Sequence, residues 1–212
     1  MNTEEKDFLA LPFSEEGVLA YLQKRSIENP KDLRSQNMFT IFKELGKYAK
    51  GVRKSFSEIK EGFPVMDYTM IHLACEHGLS CHGTVPHLAL SHRKDDNLQV
   101  YFGFVKIAHP QSLYFCCHSF LETKEGDTIY DPHCEWLFDR NNNYELSMVS
   151  DYFGINFPLD LFQKINEWEG ANVYPNIGGF IKERIIPSEE RTNQFINYIR
   201  NKTPIPESWR IA

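Results

Sequence analysis

No stretch of the 212 residues approaches the roughly 18 consecutive apolar residues that a membrane-spanning helix needs, so no membrane association is expected. Positive charge is in short supply. Lys and Arg number 23 against 29 Asp and Glu, a formal net charge of −6, which argues against a general nucleic-acid binder. The first residues, MNTEEKDFLALPF, lack the basic and long apolar regions of a secretory signal. An even cysteine framework is missing as well. The five cysteines are Cys75, Cys81, Cys116, Cys117 and Cys134, and two of them are adjacent. That pattern suits reduced thiols, and the expectation is a cytoplasmic protein. There is no Gly-rich phosphate loop, since Gly178-Gly179 lacks a following Lys-Ser/Thr, and no H-E-x-x-H or G-x-S-x-G. No cofactor is expected.

What is present is enough apolar material for one sizeable core, with hydrophobic residues at 42% and aromatics at 14%. Residues 1–60 read as helical. Ser14 with Glu15 and Glu16 behind it opens one helix running to about Arg25, and Asn29-Pro30 ends it. A second helix is expected from Pro30 to about Tyr48, and the basic run Lys43 to Lys60 reads as a solvated helix face. Pro64 to His77 reads as a buried helix opened by proline and stopped by Gly78. Thr84–His92, Leu98–Ile107, Leu113–Glu122 and Asp127–Asp131 then read as antiparallel strands. Helices are expected again at Leu159–Trp168 and at Ser188–Asn201, the latter capped by Ser188.

The chemistry concentrates in Leu113 to Trp136, LYFCCHSFLETKEGDTIYDPHCEW. If Thr123-Lys124-Glu125-Gly126 is the turn of a hairpin, Glu122 faces Asp127 and His118 faces Asp131. A carboxylate so placed fixes the imidazole tautomer and stabilises its charged form. Cross-strand His–Asp pairs also arise for purely structural reasons, and a one-residue slip would separate these two. Metal donors are plentiful, with Cys75, His77, Cys81 and His82 close together, but C-x-H-x3-C-H is not a usual zinc spacing and no metal is assigned.

His118-Ser119-Phe120-Leu121-Glu122, followed by Gly126-Asp127-Thr128-Ile129-Tyr130-Asp131-Pro132, resembles the His–Asp motif of the transglutaminase-like branch of the papain-like cysteine enzymes. The resemblance covers roughly residues 60 to 135. It implies an α+β fold of papain-like (transglutaminase-like) architecture: a central buried helix packed on an antiparallel sheet, with extra helices at both ends. The chain is expected to be one domain over 1–212, with a helical part (1–60), the core (61–140) and a helical C-terminal part (141–212). In that family the nucleophilic Cys opens the central helix. The corresponding window here, Gly62-Phe63-Pro64-Val65-Met66-Asp67, holds no Cys, Ser or Thr. Cys75 falls at the far end of the expected helix and reads as core, and Cys81 falls in the loop beyond it. His133-Cys134-Glu135-Trp136 resembles the Asn-Cys-Glu-His run of the permuted lecithin:retinol acyltransferase-like branch, in which His87 or His118 would serve Cys134.

The resemblance therefore implies a thiol amide hydrolase, deamidase or acyltransferase. Its candidate catalytic residues are His118, Asp131, Cys134 and Cys81, and its substrate is a peptide or protein. The other expectation is an inactive relative that binds a peptide or protein in the former cleft.

Overall fold

The computed structural model describes residues 15–28, 30–55, 80–91, 98–109, 112–135, 149–170 and 176–210. Helices α1 (Glu15–Glu28) and α2 (Leu33–Leu45) come first. Asp32 caps α2, its carboxylate accepting from the Arg34 amide at 3.1 Å. Two short strands follow, β1 (Lys47–Ala49) and β2 (Val52–Lys54), where the sequence reading continued the helical face to Lys60. Next are α3 (Cys81–Ser91), β3 (Leu98–His109), β4 (Ser112–Thr123), β5 (Thr128–Tyr130) and β6 (Val149–Phe157). The described chain ends with α4 (Leu159–Glu169), a turn-length helix α5 (Ile177–Phe180) leading into a π-helical turn, α6 (Glu189–Asn201) and a 3-10 turn at Glu207–Trp209. Ser188 caps α6 as expected, accepting from the Arg191 amide at 3.3 Å.

The strands form one sheet in the order β1-β6-β3-β4-β5-β2. Pairing is antiparallel except between β2 and β5. β1 and β2 are joined only by Lys50 and Gly51, yet they pair at opposite ends of this order. The sheet must therefore curl until its ends meet. Side chains alternate along β3: Val100, Phe102 and Phe104 join the large core under the helices, while Tyr101 and Val105 join a smaller one with Ala49, Phe120, Ile129, Cys134 and Tyr152. The mixed helix-and-sheet architecture is α+β.

Two expectations are corrected here. Thr84–His92 is not a strand but most of α3. Ser80 is its cap position, its carbonyl accepting from the Gly83 amide at 3.0 Å and the Thr84 amide at 3.1 Å. Thr84, Val85 and Pro86 give a strand-like local signal, but burial on nearly every side favours a helix. The hairpin register also differs. Leu121 pairs with Tyr130 and Glu122 with Ile129, two residues away from the expected alignment. A shift of two keeps every side chain on its face, so His118 and Asp131 become diagonal neighbours on one side of the sheet. The helix expected at Pro64–His77 lies outside the described residues, as do Cys75 and the window Gly62–Asp67.

Candidate active site

β5 stops at Tyr130, so β4 has no β5 partner beyond Leu121, and His118 stands at that open margin. On its other side His118 is paired with Gly103 of β3, where a Cβ would lie 2.0 Å from the Phe153 carbonyl oxygen. Only glycine lets β3 and β6 pass this closely beside the histidine.

Pro132 ends β5 and opens a helical turn over 132–135. The residue between strand and turn is Asp131, fully buried. His118 Nε2 lies 2.8 Å from Asp131 Oδ1. The Cys134 amide donates to the same oxygen at 3.1 Å, and the Tyr152 hydroxyl donates to Oδ2 at 2.9 Å. Burial alone would raise this carboxyl, but the charge and hydrogen bond of His118 and the donors from Cys134 bring it down to about 2. Burial acts to lower the His118 pKa. The facing Asp131 carboxylate, with Cys134 and Cys81 beside it, outweighs that and raises it well above its ordinary value.

Asp131 holds Nε2, and the charge of His118 also reaches a second thiol, Cys81. Cys81 is the first residue of α3 and is buried. Burial pushes its thiol up. The His118 charge and hydrogen bond, with a smaller contribution from His82, overcome this and hold it at about 5. His82 Nδ1 lies 3.7 Å from Cys81 Sγ and 2.8 Å from the Ser119 hydroxyl, which fixes its ring. The start of α3 is also tied from outside. Asn176 donates from Nδ2 to Ser80 Oγ at 2.8 Å while its Oδ1 accepts the Gly179 amide at 2.9 Å.

Cys134 sits on the other side of the dyad, its Sγ 3.6 Å from His118 Nε2. Burial and the adjacent Asp131 charge push this thiol up to about 12. The two candidate thiols thus lie beside one imidazole in opposite ionisation states. Cys116 shares the His118 side of β4, and Cys117 points toward α3, its Sγ 3.7 Å from His82 Nε2. The His133 ring lies 6.1 Å from that of His118, and burial pushes its pKa down. His118, Asp131 and Cys134 present donor atoms all within 4.8 Å of one another.

Tyr152, His82 and Asn176 were not among the sequence candidates. Tyr152 belongs to β6, which the sequence reading left unassigned although Tyr152-Phe153 and Ile155 form a β-favouring run. His82 was noted only as a possible metal donor. Asn176 precedes Ile177-Gly178-Gly179, and an Asn before a short apolar turn is a recognisable cap signal.

No family model matches this sequence, and neither a curated protein nor a solved structure matches it. No helix among the described residues is long and apolar enough to cross a membrane.

Proposed function

We propose that the chain is a cysteine-dependent amide hydrolase, deamidase or acyltransferase of transglutaminase-like type, with Cys81 as nucleophile, His118 as acid and base, and Asp131 as the orienting carboxylate. The observation that carries this reading is Cys81 opening a buried helix within reach of the charge of His118, whose Nε2 is held by a carboxylate. A helix start favours a thiolate through the dipole and its free amides. The Cys81 thiolate attacks the amide carbonyl carbon. Within α3 the Cys81 and His82 amides have no helical acceptor and are available to the resulting oxyanion. The His118 imidazolium gives its proton to the nitrogen as the C–N bond breaks and the amine leaves. Water or a second amine then loses a proton to His118 and displaces Cys81 from the thioester, giving an acid or a new amide.

The binding-only reading rests on the window Gly62–Asp67, which holds no thiol; Cys81 at the start of α3 supports the thiol chemistry instead. Peptides and proteins carrying accessible amides are the substrate class.

The test is mapped alkylation with iodoacetamide at about pH 6.5, comparing wild type with His118→Ala. Cys81 should react much faster than Cys116, Cys117 and Cys134, and His118→Ala should slow it. Uniformly slow labelling, untouched by the mutation, would sink the proposal.

A further inference from the structure

We propose that His118, Asp131 and Cys134 form a binding site for a zinc-class divalent cation. The site itself stands on the geometry of these donors, and only its inhibitory effect rests on the thiol chemistry proposed above. Cys134 is the buried thiol that this chemistry leaves unused.

The three residues combine an imidazole, a carboxylate and a thiol, the donor types zinc prefers. All are buried, at 3%, 0% and 3% exposure, and their donor atoms converge within 4.8 Å. For zinc bond lengths of about 2.0 Å to nitrogen and 2.3 Å to sulfur, a tetrahedral N–S separation is about 3.6 Å. Cys134 Sγ and His118 Nε2 are already 3.6 Å apart. Asp131 Oδ1 and His118 Nε2, at 2.8 Å, would open by about 0.5 Å to admit an ion between them.

The surroundings suit a ligand set. The Tyr152 hydroxyl and the Cys134 amide hold the Asp131 carboxylate from outside. Charge balances as well. Binding releases two protons, one from the Cys134 thiol and one from His118 Nε2, so the two positive charges lost offset the two the ion brings, and a carboxylate and a thiolate face the divalent ion in a buried place. The fourth position is left for water. The donors come from β4, the end of β5 and the turn after it, spaced H-x12-D-x2-C, a set that the sequence reading did not weigh for metal.

Occupancy takes Nε2 away from Asp131 and holds His118 as a neutral ligand. It can then no longer protonate a leaving amine, so the ion acts as a reversible inhibitor.

The experiment is a Co2+ titration of the full chain, read by the thiolate-to-cobalt charge-transfer band, with Zn2+ competition to give affinity. Wild type and Cys81→Ser should show the band at one equivalent. Cys134→Ala should lose it, with Zn2+ affinity falling about 100-fold or more. A band lost in Cys81→Ser and kept in Cys134→Ala, or no band in wild type, would overturn the site. If Cys134→Ala does not fold, zinc-edge X-ray absorption on zinc-loaded Cys81→Ser decides: one sulfur at about 2.3 Å supports the site, and none refutes it. Fast alkylation of Cys81 without metal binding would remove this site and leave the thiol chemistry standing. Metal binding with uniformly slow alkylation would do the reverse.

Discussion

Tyr152 lies on β6 and Asp131 just past the end of β5, strands that are not neighbours in the sheet, yet the tyrosine hydroxyl donates to Asp131 Oδ2 at 2.9 Å. It takes the oxygen that His118 leaves free, so the carboxylate is gripped at both ends. Tyr152→Phe removes this grip and leaves the ring packed against Phe120. We expect Cys81 alkylation to slow about tenfold, with a stability loss of about 1–2 kcal/mol from the unpaired carboxylate oxygen. Labelling kinetics beside a thermal melt would check this. Loss of stability with unchanged labelling would assign Tyr152 to packing alone.

The labelling rate of Cys81 should itself titrate. With the thiol held at about 5, the rate rises with pH through that value and is flat by neutral pH. Cys134, pushed up to about 12, should stay inert in the folded chain across the same range. In His118→Ala the Cys81 midpoint moves upward toward the ordinary thiol range. A wild-type midpoint near 8 or 9 would contradict the ion pair.

Acid should unfold the protein partly through Asp131. Its carboxyl titrates near 2 in the fold and near 4 in an unfolded chain, so the unfolded state binds more protons between these values. Stability from this group is complete above about pH 4 and is lost as pH falls toward 2. Asp131→Asn should be less stable at neutral pH and show a flatter decline over that window in denaturant titrations. A parallel decline in both proteins would mean that Asp131 gains nothing on folding.

Asn176 clamps the start of α3 from the far end of the chain. Asn176→Ala should cost about 1–2 kcal/mol through the lost cap on α5 and the freed Ser80 hydroxyl. The alkylation midpoint of Cys81 should rise with it, because a looser helix start holds the thiolate less well. Asn176→Asp keeps the cap to Gly179 but not the donor to Ser80. It should recover stability more fully than reactivity.

Gly103→Ala is a purely steric test. Its Cβ would meet the Phe153 carbonyl at 2.0 Å and Gly154 Cα at 2.4 Å, both backbone atoms. Overpacking against backbone should cost about 3 kcal/mol or more, read as a large drop in melting temperature. A near-neutral result would mean that β3 and β6 are less closely apposed.

The sequence carried the His118–Asp131 pair because a strand, a Gly-ended turn and a Pro stop are local signals. It misplaced the register by two, since nothing local counts residues across the turn, and the even shift spared the pair. The proposed nucleophile was obscured for a similar reason. Ser80 falls in the turn after the Gly78 stop, and Thr84-Val85-Pro86 favoured a strand. Burial on nearly every side marks Cys81–Ser91 as a helix, and that changes Cys81 from a loop residue into a helix start. Tyr152 and Asn176 act across the fold, and sequence spacing has no means of revealing such partners.

The two-residue join between β1 and β2 has an effect beyond shape. Residues 47–54 work as a clasp, one half hooked to β6 and the other to β5, where Val52 donates its amide to the Asp127 carbonyl at 2.8 Å. Both rims of the sheet are occupied by the same short piece of chain, which leaves neighbouring molecules few vacant backbone groups to copy onto there. Releasing the clasp would bare both rims at once and let β5 and β6 drift apart, taking Asp131 from Tyr152. Exposure to aggregation and loss of the dyad's support are thus a single event, and a chain unclasped at residues 47–54 should lose the fast labelling proposed for Cys81 and turn sticky together.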